Sequence, residues 1–250
     1  MRLHTLATAV TAALALPLSA FAASHGHPGH AGDIGLAIID NQLTLTNHTY
    51  TDLFTGHHLV EADFGDFAYG ANATGNPGFA IHAGVLPNHS FLALKPIGNL
   101  SFWDGSNWGA AATGTNLKVE DIRHIDSFWT AAGTSGDPAV IGFTGPGLEI
   151  HDHVKFNIST GAAVGAYLAS FVLINVAPTA GELPVPDLGS PLHLESRPIS
   201  IAFNFGLGHH AFESAVEARL VPVPAAAWLL GSGLMGLAAA TRRRSVAAAT

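Results

Sequence analysis

Short apolar runs make up most of the chain between residues 34 and 220, and Gly, Asn, Pro or Asp separates them. In "ISIAFNF" (199–205) every second residue is Ile or Phe, which is the pattern of a strand with one buried face. Asp40-Asn41 separates two apolar runs and predicts a tight hairpin turn. The pattern predicts further strands over 59–64, 79–83, 90–95, 99–103, 116–120, 139–143, 148–158, 164–176, 192–195 and 212–220.

Many short strands with turn signals between them are typical of a β-sandwich or jelly roll. The sequence therefore predicts one all-β domain over residues 34–220. The segment "GAAVGAYLASFVLINV" (161–176) is also compatible with a helix. Its bounding glycines and the β-branched residues of its second half favour a long buried strand.

The first 22 residues have the three parts of a secretory signal peptide. Arg2 supplies the positive charge, an apolar stretch covers 6–16, and the A-x-A pattern at 20–22 is a cleavage site. The apolar stretch is too short to span a bilayer, which takes about 20 residues. We expect export through the Sec translocon and cleavage after residue 22, so that a His-rich arm (23–33) becomes the mature N-terminus.

Residues 225–241 carry no charge and are followed by Arg242, Arg243 and Arg244. A transmembrane helix needs about 17–25 apolar residues, so this segment has the minimum length for a membrane span. The arginines lie in the cytoplasm by the positive-inside rule, together with a tail over 245–250. The sequence thus predicts an inner-membrane helix that leaves the body of the protein on the outer side.

The residues before this apolar segment are Val221, Pro222, Val223, Pro224 and Ala225. The order of Pro-rich motif, apolar helix and basic cluster over 221–244 resembles the PEP-CTERM sorting signal in its VPxPA variant, although the commonest form has Glu where this chain has Val223. The resemblance implies that an exosortase-type enzyme cleaves near the motif. It also implies that the mature protein reaches the cell surface or the extracellular matrix.

The body of the chain, residues 23–220, is strongly acidic. It contains all 18 Asp and Glu but 6 of the 10 Lys and Arg, for a formal charge of −12 with His neutral. This charge argues against nucleic acid as a partner and favours cations as ligands. Because the chain has no Cys, thiolate metal sites and cysteine nucleophiles are excluded, and a transition-metal site must use His, Asp or Glu.

Histidine is abundant, since 14 of the 15 lie in the body. His25, His27 and His30 form a cluster in the arm, just before Asp33. Imidazole binds transition metals, but ligands on a flexible segment must be ordered on binding. The cluster predicts metal contact of modest affinity, and a segment without metal function is the alternative.

The sequence "EIHDHV" contains the second cluster. His151 and His153 are two apart on a predicted strand, so both rings face one side, about 6.6 Å apart at the backbone. Glu149 shares that side and Asp152 does not. Each ring could reach one ion at about 2.0–2.1 Å, the Zn–N distance. The pattern predicts a Zn²⁺ site, with Cu²⁺ and Ni²⁺ left open because imidazole and carboxylate suit all three.

Two further pairs, His57-His58 and His209-His210, are adjacent in sequence. Adjacent side chains of a strand point to opposite faces, so each pair offers at most one ring to a site unless it lies in a turn. Isolated histidines are expected to be surface or hydrogen-bonded residues. These are His48, His89, His124 and His193.

Enzyme signatures are missing from the sequence. It has no G-x-S-x-G, no H-E-x-x-H and no phosphate-binding glycine loop, so we expect a non-enzymatic protein. Trp103, Trp108 and Trp129 could form a sugar-stacking surface, although buried aromatic side chains of a β-sandwich are the simpler interpretation.

Several short segments of the body carry a second resemblance. They are the His-rich start leading into Asp33-Ile34, "NPGFA" (76–80), "LSFWDG" (100–105), "HDH" (151–153), "GAY" (165–167) and "SRPISIAFNFG" (196–206). In this order they are similar to a family of PEP-CTERM surface proteins repressed by the zinc-uptake regulator. The resemblance implies that the protein binds zinc outside the cytoplasm when zinc is scarce, and that His25, His27, His151 and His153 are the residues to test.

Two functions follow from these patterns. The first is an exported β-domain that binds zinc through histidines and is delivered to the envelope or matrix by its sorting signal. The second is a structural or adhesive biofilm-matrix protein, with or without carbohydrate binding, whose histidines have no metal role.

Overall fold

The computed structural model of the protein describes residues 32–46, 50–65, 69–180 and 184–220. The predicted signal peptide, the arm histidines His25, His27 and His30, and the predicted sorting signal with its membrane span lie outside the described residues. Within the described ranges, the helix is neither long nor apolar enough to cross a membrane.

The described residues are mostly β-strand, with one short helix near the C-terminal end. The strands are β1 (Ile34–Ile39), β2 (Gln42–Leu45), β3 (Tyr50–Thr51), β4 (His58–Asp63), β5 (Ala73–Thr74), β6 (Phe79–Ile81), β7 (Phe91–Trp103), β8 (Trp108–Ala110), β9 (Asn116–Glu120), β10 (Asp126–Thr130), β11 (Gly133–Ser135), β12 (Ala139–Phe143), β13 (Ile150–Asp152), β14 (Lys155–Ile158), β15 (Gly165–Pro178), β16 (Pro186–Pro191) and β17 (Ile199–Phe205). The helix is α1 (His209–Leu220).

The strands form three sheets. An eight-stranded sheet has the order β12-β7-β15-β17-β4-β3, with β16 beside β15 and β8 beside β7. A five-stranded sheet has the order β11-β10-β9-β14-β5, and a four-stranded sheet has the order β13-β6-β1-β2. In the four-stranded sheet β1 runs parallel to β6, whereas β13 runs antiparallel to it.

Several predicted elements are confirmed. The turn between β1 and β2 contains Asp40 and Asn41, which have φ angles of 49° and 62°. Both residues tolerate this left-handed conformation, and hairpin turns of this kind require it. The segment with two interpretations, 161–176, is strand from Gly165 onward and belongs to β15.

The strand predicted over 212–220 is wrong, because this segment is the helix α1. Phe212, Ala215 and Val216 are its buried residues, and their spacing of three and four places them on one helical face. That face packs on the eight-stranded sheet against an apolar cluster that includes Trp103 and Ala202. The described body is therefore mostly β rather than all-β.

Two other boundaries differ from the prediction. The single strand predicted over 148–158 is divided into β13 and β14, which pair in different sheets. The strand predicted over 192–195 is not formed, although Leu194 makes an isolated bridge to Gln42 of β2. Local apolar pattern does not distinguish one long strand from two short ones that leave for different sheets.

The three sheets share one apolar core. Phe79 of the four-stranded sheet, Phe156 of the five-stranded sheet and Phe203 of the eight-stranded sheet are completely buried in the same cluster. Burying a side chain of this size contributes about 1.5–3 kcal/mol. Because the core joins all three sheets, strands far apart in sequence are held in fixed register around it.

Among the described residues, Trp103 and Trp129 are buried and Trp108 is partly buried. Trp129 is fully buried and its Nε1 donates a hydrogen bond to the carbonyl of Ser170 at 2.7 Å. Trp103 is also buried, and Trp108 donates from Nε1 to the carbonyl of Ala215 in α1 at 2.8 Å. Trp103 and Trp129 thus confirm the interpretation as buried aromatic side chains, whereas Trp108 remains partly exposed.

Candidate metal site

A group of one carboxylate and two imidazoles lies on the four-stranded sheet. Asp33 directly precedes β1, His151 lies in β13, and His153 follows β13 by one position. The ligand atoms of these three side chains all lie within 4.8 Å of one another. We name this group the Asp33 site.

Strand β6 brings the three residues together because it lies between β1 and β13. His151 is opposite Ala80 of β6, and the amide of Ile34 donates to the carbonyl of Gly78 at 2.8 Å. Phe79 and Ile81 point into the core, so Gly78 and Ala80 lie on the outer face. The side chains of the flanking strands therefore meet on that face, above small residues.

Gly78 leaves the space that the site occupies. A Cβ atom at this position would lie 2.5 Å from Asp33 Oδ1 and 2.5 Å from His153 Cε1. Contacts this short do not occur between real side chains, so any other residue would displace one of the two ligands. The glycine is therefore part of the site even though it contributes no ligand atom.

The distances within the group are close to those that one ion requires. His151 Nε2 lies 2.9 Å from Asp33 Oδ2, and His153 Nε2 lies 3.9 Å from Asp33 Oδ1. The two ring centroids are 5.8 Å apart. Ligand atoms on a tetrahedral Zn²⁺ at about 2.0–2.1 Å are roughly 3.4 Å from one another. Small rotations of the side chains would bring the ligand atoms to the separations that a tetrahedral ion requires.

A backbone carbonyl holds His153 in the orientation that a metal ligand needs. Nδ1 of His153 lies 3.0 Å from the carbonyl oxygen of Gly75, which can only accept, so Nδ1 carries the hydrogen. The lone pair of the ring is then on Nε2, which faces Asp33. Metal-binding histidines commonly donate their other N–H to a carbonyl or carboxylate in this way, which fixes the tautomer and the ring orientation.

The site is open on one side. The His151 side chain is 60% exposed, whereas Asp33 and His153 are about three-quarters covered. Three protein ligands leave one position of a tetrahedral ion for water or for another ligand. One carboxylate and two neutral imidazoles suit Zn²⁺, Cu²⁺ and Ni²⁺.

The structure brings His151 and His153 together as the strand alternation predicted, although the strand itself ends at Asp152. Asp152 lies on the other side, with Oδ2 about 3.0 Å from the position of a Cβ on Gly142. Glu149 is exposed before β13 and is not in the group, and Asp33 supplies the carboxylate instead. No local pattern indicates Asp33, because its position depends on the pairing of β1 with β6.

Four of the other described histidines have different surroundings. Nδ1 of His57 lies 3.0 Å from Ser200 Oγ, and burial lowers the pKa of this imidazole. Burial lowers the pKa of His58 as well. His124 pairs with Glu120 at 2.8 Å, and His193 hydrogen-bonds Asn41 at 2.9 Å, as expected of isolated histidines. His48 lies outside the described residues.

The fold and the site together define a mostly β protein with a candidate divalent-metal site. No protein-family model, curated protein or solved structure that was compared with the chain matches it.

Proposed function

We propose that the protein is an exported β-sandwich protein of the cell surface that binds Zn²⁺ through Asp33, His151 and His153. The observation that carries this proposal is the convergence of the three side chains within 4.8 Å on one sheet face. His153 is oriented by Gly75, and Gly78 leaves room for the group. Two such features around one cluster are typical of a built site rather than of histidines that meet by chance.

The donor set is compatible with zinc, and the location that we propose favours it. The chain has no thiolate to select Cu(I), and its acidic body attracts divalent cations. The resemblance to proteins repressed by the zinc-uptake regulator supports the same ion. We infer that the protein collects or retains zinc outside the cytoplasm when zinc is scarce, with the arm histidines His25, His27 and His30 as additional ligands.

The sorting part of the proposal rests on the two ends of the chain. Residues 1–22 carry the protein through the Sec translocon, and residues 221–244 present it to an exosortase-type enzyme at the inner membrane. The described helix α1 ends at Leu220, directly before the motif that begins at Val221. The body and the sorting motif therefore adjoin without a long linker.

Zinc titration of the full-length protein tests the metal site. We expect the wild-type protein to bind Zn²⁺ more tightly than about 10 µM, or −6.8 kcal/mol. Asp33→Ala should weaken that binding at least about tenfold. The matched control is His82→Ala, which removes an exposed histidine directly after β6. The same titrations with Cu²⁺ and Ni²⁺ establish which ion the site prefers.

Two results would contradict the proposal. One is a wild-type protein whose tightest zinc affinity is weaker than about 10 µM. The other is an Asp33→Ala protein that binds zinc as tightly as the His82→Ala control.

In cells, zinc starvation should raise the amount of the protein. If His151→Ala with His153→Ala changes neither zinc-limited growth nor surface attachment, a structural role without metal is the better explanation.

A further inference from the structure

A second group of two imidazoles and one carboxylate lies at the start of α1. Nε2 of His209 is 3.0 Å from Oε1 of Glu213, and Nδ1 of His210 is 3.2 Å from Oε2 of the same carboxylate. The two rings therefore bracket Glu213, one at each oxygen. We name this group the His209 cluster.

The helix is what makes this arrangement possible. Residues three and four apart are neighbours on a helix surface, so His209 and His210 both reach Glu213. On a strand, adjacent rings would point to opposite faces. The buried residues Phe212 and Val216 fix the helix on the sheet and turn the cluster toward solvent.

The ring centroids of the His209 cluster are spaced like those of the Asp33 site, but its ligand atoms do not all lie within 4.8 Å of one another, as those of the Asp33 site do. The ring centroids of His209 and His210 are 5.7 Å apart with an interplanar angle of 43°. The corresponding values for His151 and His153 are 5.8 Å and 41°. Both groups also place each imidazole against an oxygen of one shared carboxylate.

We propose that His209, His210 and Glu213 form a second site for Zn²⁺, separate from the Asp33 site and weaker. The weaker binding has two causes. The His210 side chain is 97% exposed, so it must lose rotamer freedom on binding. The positive end of the helix dipole also disfavours a cation near the first turn. One imidazole must rotate for both rings to share an ion with the carboxylate.

The test is a histidine-modification experiment on the full-length protein. Diethyl pyrocarbonate modifies free imidazole nitrogens, coordination to Zn²⁺ protects them, and mass spectrometry reads each histidine separately. As Zn²⁺ is raised to about 1 mM, we expect protection of His151 and His153 first. His209 and His210 should follow at zinc concentrations about tenfold higher or more.

Glu213→Gln keeps the size of the side chain and removes its charge. It should abolish the protection of His209 and His210 and leave that of His151 and His153 unchanged. The matched control, Glu217→Gln, alters an exposed glutamate one turn further along α1 and should have no effect. Circular dichroism of each variant verifies that the helix is intact.

The site is refuted if His209 and His210 react at the same rate with and without Zn²⁺. It is also refuted if Glu217→Gln removes their protection as completely as Glu213→Gln does, or if His124, a single imidazole paired with Glu120, is protected to the same degree. In an Asp33→Ala background, loss of protection at His153 with retention at His209 separates the two proposals. Each can then fail without the other.

Discussion

The Asp33 site and the His209 cluster contain the same kinds of side chain with nearly the same spacing of ring centroids, but the chain assembles them differently. The ligands of the Asp33 site come from positions 33 and 151–153, and they meet because β1 and β13 flank β6. The ligands of the His209 cluster lie within five consecutive residues of one helix. The first site therefore depends on the tertiary fold and the second on local helical structure.

The difference has consequences for affinity and for stability. At the Asp33 site, Gly75 fixes one ring before any metal binds, so less side-chain entropy remains to be lost. An ion there also connects two strands across β6 and resists unfolding of the four-stranded sheet. An ion at the His209 cluster connects residues that the helix already holds together. Four experiments test this difference between the two groups.

The largest effect is expected from the anchor of α1. Asp52 is fully buried, and Arg219 Nε donates to its Oδ2 at 2.7 Å. Arg219→Met leaves a buried carboxylate without its cation, which costs about 3–5 kcal/mol. A helix of this length is marginal in water without tertiary contacts, so zinc protection of His209 should weaken while that of His153 persists.

Thermal unfolding measures this variant, and the midpoint should fall by roughly 10 °C. Arg197→Met is the control because it removes an exposed arginine. If the two variants unfold at the same temperature, the ion pair does not anchor α1.

Zinc should stabilise the folded protein mainly through the Asp33 site. At a free zinc concentration about 100 times the dissociation constant, ligand binding contributes about 2.7 kcal/mol. This corresponds to a rise in the unfolding midpoint of roughly 5–10 °C. Calorimetric scans of wild type, Asp33→Ala and Glu213→Gln with and without Zn²⁺ measure it. We expect Asp33→Ala to lose most of the rise and Glu213→Gln to keep it; the reverse ranking would contradict the comparison.

Gly78→Ala should weaken zinc binding at the Asp33 site by about 10- to 100-fold. The added methyl group meets both Asp33 and His153, so at least one ligand must move. The control is Gly109→Ala, where a Cβ would meet no atom within 4 Å. Zinc competition with a chelating dye measures the change. An unaltered affinity in Gly78→Ala would show that the site does not need this space.

The smallest effect concerns acid sensitivity in the absence of metal. Burial lowers the pKa of His57 from its usual value of 6.5, so protons bind the unfolded chain first as the pH falls. The resulting stability is fully present above pH 6.5 and is lost as the pH falls below it toward the folded-state pKa. His57→Gln should make the decline shallower in metal-free unfolding curves.

A His57→Gln curve as steep as that of wild type would assign the acid sensitivity to other residues. The metal-free decline of stability with falling pH can then be subtracted from the acid-induced loss of zinc at either site.

The local sequence pattern was sufficient to predict the features that depend on residues close together in the sequence. The alternation of residues predicts that His151 and His153 lie on one side and Asp152 on the other, and this is confirmed. The turn at Asp40-Asn41 and the long strand β15 follow in the same way from short-range preferences. Strand alternation and turn conformation are properties of a few neighbouring residues, so they can be predicted from the sequence without knowing the fold.

The helix α1 shows where prediction from the local pattern fails. Phe212, Ala215 and Val216 fit a helical face, but the surrounding apolar residues also fit a short strand. Two long-range contacts favour the helix over the strand. Its apolar face packs on the eight-stranded sheet around Trp103, and Arg219 forms an ion pair with Asp52. Both partners are distant in sequence.

The amino-acid sequence is sufficient to predict the β-rich character of the body, its supply of imidazoles and carboxylates without sulfur, and the shared face of His151 and His153. It does not predict that Asp33, and not Glu149, is the carboxylate beside them, which follows from the pairing of distant strands. The reason is that β1 pairs with β6 in parallel. This long-range pairing is stabilised by the common core and cannot be predicted from the residues next to Asp33 in the sequence. The role of Gly78 depends on the same pairing, because it makes room for Asp33 and His153, which lie at the ends of two other strands.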